Sequence, residues 1–476
     1  MSVRNALFWS LGGQFVAVLA LLVSLVVLAR LLTLEEMGIF TIGQAIYGLL
    51  LAISGLGMSA YLLREPTLER PVLHTAFSIN IALATILGAI VFASAPWVAK
   101  LVGDSRVVPV VRLVALAPVI GAFELLPISV LQREMRFDRI AAVMIVRASV
   151  QTGVAIAAAW AGYDEMSVAY AAVASALAAS IVANLVAPHR PALVFASLKW
   201  RSMAWFGVKT LAVGGISVVA MRLADPVMAA ILGLAALGVY SRASTIYTAL
   251  YGNVFGAIGK VMFSRLADEH RNDGDVASVY LTSLSVIFVI MGPLVLTLAI
   301  LARPVVQTAF GTRWLDAAEP LAILMLAQFL ALFYSLHSEL FILRDRVGQQ
   351  AKLESFRAST GLALFAIGCQ FGLVGAATAR LIEVLLAGVL YVPLVLQLSG
   401  ARLMAYIRVI GEGLLVSALA VAPVLALVWH GGFANDPALF PLAGSVALGG
   451  ALWIAYLLYL NHPIALEIRR IVGSPR

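Results

Sequence analysis

The sequence predicts an all-α protein, a polytopic bundle of about fourteen transmembrane helices. Three observations predict it. Of the 476 residues, 62% are hydrophobic and only 12% charged, with mean hydropathy +1.01, whereas a soluble domain is about 45–50% apolar and about 25% charged. The apolar residues gather in long uncharged runs, such as Ala6 to Ala29 and Val168 to Val186, and these reach the roughly 20 residues that a helical span needs. The loops between such runs alternate in charge. In lipid only helices and closed barrels satisfy every backbone group, and barrel strands would read as short alternating segments of about 10 residues.

Taken in order, the spans fall at 8–32, 38–61, 73–96, 108–131, 140–160, 167–187, 205–231, 236–262, 278–302, 321–342, 351–370, 374–396, 408–429 and 440–460. The first is too long for a signal-peptide core and lacks a small-residue cleavage site behind it, so it is read as a true helix. One set of loops and ends carries Arg4; Arg64 and Arg70; Arg133, Arg136 and Arg139; Arg190, Lys199 and Arg201; Arg265 and Arg271; Arg344 and Arg346; Arg402; and Arg469, Arg470 and Arg476. The alternate set carries only Lys100, Arg106, Arg303 and Arg313. That asymmetry places the first set, with both termini, in the cytoplasm. It also accounts for the net charge of +8 without a nucleic-acid partner. The longest external loop runs from about Arg303 to Pro320, too short for a soluble catalytic domain. Phosphate-loop, dinucleotide and zinc-protease motifs are absent, and the lone Cys369 and six scattered histidines suggest no metal site. No cofactor is expected.

The chain also repeats itself. LTLEEMGIF at 32–40 aligns with LGLAALGVY at 232–240, pairing Leu32 with Leu232, Leu34 with Leu234, Gly38 with Gly238 and Phe40 with Tyr240. The match continues through Ile46 and Ile246, Tyr47 and Tyr247, and Leu50 and Leu250. A second echo lies near an offset of 210, where Arg136, Ala141 and Arg147-Ala148-Ser149 match Arg346, Ala351 and Arg357-Ala358-Ser359. Six spans separate the copies, so both keep one orientation. The expectation is two like-oriented six-helix lobes, residues 1–187 and 205–396. A cytoplasmic linker at 188–204 joins them, and two extra helices with a tail follow at 397–476. Such repeats are a transporter signature, with substrate bound between the halves.

The same stretches carry a family resemblance. ARLLTLEEMGIF (29–40), LQREMRFDRIA (131–141), LGVYSRASTIYTALYGNVFGAIGKVMFSRLA (237–267) and FGTRWLDAAEPLAILML (310–326) resemble the polysaccharide-transporter flippases of the MOP superfamily. The resemblance covers most of residues 1–400 and fades over the last two helices. It implies a flippase that moves a polyprenyl-diphosphate-linked oligosaccharide, of the undecaprenyl type, across the bacterial inner membrane. It implies two lobes forming a V around a central cavity, and a monomer embedded in lipid.

Ionisable groups at membrane depth are costly and mark function by default. The first lobe has Arg30, Arg112, Glu124 and Arg147; the second has Lys209, Arg222, Asp225, Arg242, Lys260, Glu339, Arg357, Arg380 and Glu383. The excess is cationic, as a diphosphate carrier requires, because guanidinium forks bind phosphate oxygens and stay charged. The candidate substrate-binding residues are Arg147, with Gln151 one turn further along the same face, Arg222, Arg30 and Arg242. Each has a structural reading beside it. Arg30, Arg112 and Arg242 lie near external helix ends and can snorkel, as Lys209 and Lys260 can at cytoplasmic ends. Arg222 with Asp225, and Arg380 with Glu383, sit three residues apart and can neutralise each other. Arg147 has no acid nearby on its own helix, and Glu124 on the preceding one is the group within reach. Glu124, Glu339 and Glu383 are the candidate ion or proton coupling sites, against structural roles for each. Two rivals stay open: a multidrug or cation antiporter of the same superfamily, which would need cavity carboxylates, and a membrane-embedded glycan polymerase or ligase, which would need a reactive external loop.

Overall fold

The computed structural model describes residues 3–54, 58–65, 69–187, 200–430 and 439–459, and among them every regular element is helical. The linker expected at 188–204 lies largely outside the described residues, as does the tail from 460. The chain divides into two compact units, Met1–Arg242 and Ala243–Arg476.

The first unit contains α1 (Val3–Leu31), α2 (Leu34–Ser54), α3 (Met58–Arg64), α4 (Arg70–Val102), α5 (Val107–Val114), α6 (Ala117–Gly121), α7 (Leu125–Arg133), α8 (Phe137–Trp160), α9 (Ser167–Val186), α10 (Trp200–Leu232) and the start of α11 (Leu234–Leu250). The second continues through α12 (Gly256–Arg271), α13 (Val276–Ile300), α14 (Ala302–Phe310), α15 (Ala318–Ala331), α16 (His337–Leu343), α17 (Val347–Cys369), α18 (Gly372–Ser399), α19 (Leu403–Trp429) and α20 (Leu439–Tyr459). Eleven described helical stretches are long and apolar enough to cross a membrane. The other three predicted spans fall on α10, on α11–α12 and on α17; α17 carries Lys352, Glu354 and Arg357 within its length. The molecule is a multi-pass membrane protein.

Local chemistry explains the conspicuous sequence stretches. In TLEE, the Thr33 N–H donates to Glu36 Oε2 at 2.8 Å and the Glu36 N–H to Thr33 Oγ1 at 3.4 Å, a capping box that starts α2. In LQREMR, Met135 takes φ 56 and the Arg136 N–H donates to the Leu131 carbonyl at 2.9 Å, which closes α7 with the left-handed Schellman turn. The same turn recurs 210 residues later. Asp345 takes φ 54, and the Arg346 N–H donates to the Phe341 carbonyl at 2.8 Å. Gly162, between α8 and α9, and Gly372, the first residue of α18, both take φ 82. The echo at that offset is therefore structural as well as verbal.

The echo at 200 has a counterpart too. A Cβ built on Gly38 would overlap the Leu234 carbonyl oxygen, and one on Gly238 would overlap the Leu34 carbonyl oxygen. Each glycine thus admits the other repeat's backbone at the crossing of α2 and α11, as small residues do in membrane helix pairs. Gly38→Ala is expected to push these helices apart and destabilise the protein by about 1–3 kcal/mol, the usual cost of overpacking. Gly153→Ala, at a site with no atom within 4 Å of the new methyl, is the neutral comparison. Melting of the two variants in detergent checks this, and equal melting temperatures would refute the crossing.

Several of the loop arginines also bond to helix ends. Arg133 Nη1 donates to the Glu65 carbonyl at 2.6 Å, Arg139 Nη1 to the Val186 carbonyl at the end of α9, and Arg344 Nε to the Leu398 carbonyl at 2.8 Å. Cations at helix C-termini satisfy carbonyls that have no helical partner.

Candidate functional site

Between α5 and α8 the chain is broken into short pieces. Pro118 starts α6, a tight 3-10 turn covers Ala122–Glu124, and Pro127 lies in the first turn of α7. This turn presents Glu124 to α8 (Phe137–Trp160), where Arg147 stands nearly three turns in. Arg147 Nη2 donates to Glu124 Oε2 as an ion pair, and Nη1 lies 3.4 Å from the Tyr47 hydroxyl of α2. Both charged side chains line a cavity of about 220 Å³, with Tyr47, Ser54, Ser59 and Asn80 supplying most of its other polar groups. The pair is not sealed: the side chains are 27% and 16% exposed.

Two readings were open for Arg147, lining a cavity and pairing with Glu124, and the structure has both together: the side chain lines a cavity and its charge is compensated by Glu124. The physical reason is the cost of a lone cation at membrane depth, which the kinked α6–α7 segment relieves by bringing in a carboxylate.

The other candidates separate. Gln151 is half-buried one turn further along α8 and lies outside the set that lines the cavity. Arg222 on α10 lays its guanidinium on the backbone of α2, with Cζ 2.5 Å from the position a Cβ on Gly48 would take. Arg30 is exposed at the end of α1. Arg242 was open to a snorkelling reading, and the structure overturns it: the residue is 4% exposed. Its Nη1 reaches the Leu25 carbonyl at 3.5 Å and its Nη2 the Ser241 hydroxyl at 3.4 Å, while its Nε has no hydrogen-bond partner. It is buried because α11 packs close to α1 and α2 through Gly238, which leaves the side chain no route outward.

The second unit holds a larger polar network. Glu383 on α18 is buried and accepts from Arg357 Nη1 and Arg380 Nη1, both at 2.7 Å. Arg357 on α17 also donates from Nε and Nη2 to Glu354 Oε2, at 3.1 and 2.9 Å. The opposite oxygen of Glu354 accepts from the Tyr391 hydroxyl at 2.8 Å and faces His337 Nε2 at 3.3 Å. Gly361 makes room, since a Cβ there would fall 2.6 Å from the Glu383 carboxyl carbon. Glu339 is half-buried on α16 and contributes no bond to this network. The Arg380–Glu383 pair follows the expected spacing. Glu354, His337 and Tyr391 were not singled out from sequence, although Glu354 precedes Arg357 by three residues and the same spacing rule applies.

The loop that follows α4 balances its own charge. Arg106 bonds Asp104 at 2.7 Å and Glu35 at 2.8 Å. The Arg106 guanidinium holds the Asp104 carboxyl below its ordinary range.

Comparison with known proteins follows from this geometry. The model of a family described as polysaccharide biosynthesis protein matches residues 27–319. The chain belongs to that family. Within reach of the family are two curated relatives. The succinoglycan biosynthesis transport protein ExoT of Rhizobium meliloti (strain 1021) is 24% identical over 314 residues, 64% of this chain and 62% of that protein. The lipopolysaccharide biosynthesis protein WzxC of Escherichia coli (strain K12) is 22% identical over 472 residues, 97% of this chain and 94% of that protein. Among solved structures, the lipid II flippase MurJ in an inward closed conformation matches with TM-score 0.77 at 14% identity, over 96% of this chain and all of that one. An inward-facing multidrug resistance MATE transporter matches with TM-score 0.67 at 17% identity, over 81% and 95%. The family member described here therefore has the fold shared by MurJ and the MATE transporters.

Proposed function

We propose that the protein is a flippase that carries a lipid-linked oligosaccharide from the cytoplasmic to the external leaflet for polysaccharide biosynthesis. The observation that carries this reading is Arg147 at the wall of a cavity in a chain that belongs to a polysaccharide biosynthesis family. A diphosphate head group cannot cross hydrocarbon unassisted, and a guanidinium fork in a wet recess binds its oxygens in bidentate fashion. The carrier lipid is of the undecaprenyl diphosphate type, and its tail stays in the bilayer. The repeats at 1–187 and 205–396 are the bodies that alternate access, and the two last helices stand apart from that cycle. The protein works as a monomer in the inner membrane with both termini in the cytoplasm, as the loop charges favour. It transports and does not catalyse; coupling to an ion gradient would use Glu124.

Reconstitution tests this. Proteoliposomes should translocate a fluorescent prenyl-diphosphate disaccharide across the bilayer and leave a cationic dye unmoved. Dye efflux without glycan movement would replace this reading with the multidrug antiporter, and cleavage or lengthening of the glycan would replace it with a polymerase or ligase.

A further inference from the structure

We infer that Glu124 is a built-in substitute for the substrate's phosphate, which neutralises Arg147 in the empty carrier and so permits its return stroke. The inference rests on the flippase reading above. Its basis is the geometry of one cavity. Arg147 and Glu124 come from separate helical elements, α8 and the turn before α7, and meet at a cavity wall. The charged and titratable groups that line this cavity are Tyr47 from α2, Glu124 and Arg147; α4 and α9 contribute the uncharged Asn80 and Ala176. Among the described residues, no second cation lines the cavity wall to compete for the carboxylate.

The contrast with the equivalent arginine sharpens this. Arg357, 210 residues on, is held by two carboxylates, one from its own helix and one from α18. Its Glu383 partner is 8% exposed, against 16% for Glu124. Arg357 is built in. Arg147 has one carboxylate partner, from a kinked segment, and the side chains of both border open space. A phosphate reaching Arg147 must take the place of that carboxylate. Asn80 lines the same cavity; its amide group reaches the Ala122 carbonyl at 3.4 Å with one N–H and has a second to offer the carboxylate once displaced.

An unpaired cation at membrane depth is costly, so a carrier with a lone arginine would return easily only when loaded. With Glu124 the cavity is neutral when empty, and the empty carrier can reorient. Removing the carboxylate charge should leave binding intact or tighter and remove only the empty step. The outcome is a carrier that exchanges substrate but does not accumulate it.

The full chain in proteoliposomes decides this, with a fluorescent short-chain prenyl-diphosphate disaccharide as probe. Net translocation is read with no probe on the far side, and exchange with unlabelled probe there. Glu124→Gln is expected to lose net translocation at least tenfold, to keep exchange within about threefold of the unaltered protein, and to bind the probe as tightly or more tightly. Glu124→Asp, which keeps the charge, should retain both modes. Arg147→Ala should lose both. Net translocation by Glu124→Gln equal to the unaltered protein, or loss of both modes together in a variant that still binds probe, overturns the inference. Full translocation by Arg147→Ala overturns instead the assignment of this cavity to the diphosphate.

Discussion

Cells whose only copy carries Arg147→Glu should export no glycan, while the variant reaches the membrane at ordinary levels. The substitution places a second carboxylate against Glu124 where the native protein has an ion pair. At an effective dielectric of about 20, two unit charges 4 Å apart interact by about 4 kcal/mol, so attraction of that order becomes repulsion. Because the site borders a cavity, the new pair can share a proton and the fold survives. A phosphate then meets acid where it would have met a guanidinium fork. Arg147→Lys should keep part of the export, since charge remains and bidentate geometry is lost. Arg147→Ala should lose export as Arg147→Glu does, with Glu124 left to take a proton. Immunoblots normalise for protein level, and glycan at the cell surface is the readout. Normal export by well-expressed Arg147→Glu would remove Arg147 from the transport path.

Arg357→Ala should fail differently, as a loss of stable protein. Arg357 bridges Glu354 and Glu383, and the side chains of these acids are only 19% and 8% exposed. Removing one partner of a buried ion pair costs about 3–5 kcal/mol, because the remaining charge has lost its compensation. Arg380 still holds one oxygen of Glu383, whereas Glu354 keeps only Tyr391 and His337. The variant should therefore melt well below the parent in detergent and accumulate poorly. Arg357→Lys should recover part of the stability without restoring the fork. An unchanged melting curve for Arg357→Ala would show that the network contributes little.

The contrast between these arginines shows how far sequence carries. The helices were legible throughout, because hydropathy is a property of each segment and each apolar run had one solution in lipid. Among the described residues, each of the fourteen predicted segments falls mainly on helix. The echoes could be read because matches kept one offset within each stretch, 200 in the first and 210 in the second, and at the second the left-handed residues Met135 and Asp345 occupy corresponding places. Charge pairing was legible in full where spacing along one helix brought groups together, as with Arg380 and Glu383, whereas Glu124 could be named for Arg147 only as the acid within reach on the preceding span. The pairing of Arg147 with Glu124 depends on a break between α6 and α7 that hydropathy reads as one continuous span. Glu354 escaped notice for a related reason. It lies near the start of its predicted span, where an acid reads as a solvated helix end, yet α17 carries it among Arg357, His337 and Tyr391.

The reciprocal contact of Gly38 and Gly238 bears on ancestry. Each glycine faces the carbonyl of the residue four positions before the other, so the same patch meets itself. Self-complementary contacts of this kind are the hallmark of two-fold homodimers. A single six-helix gene product could have made this crossing with a second copy of itself, and duplication followed by fusion would have kept it intact. In such a dimer one substitution strikes both sides of the contact at once. In the fused chain the two sides are free to diverge, and retention of glycine at both records a restriction set by the backbones themselves.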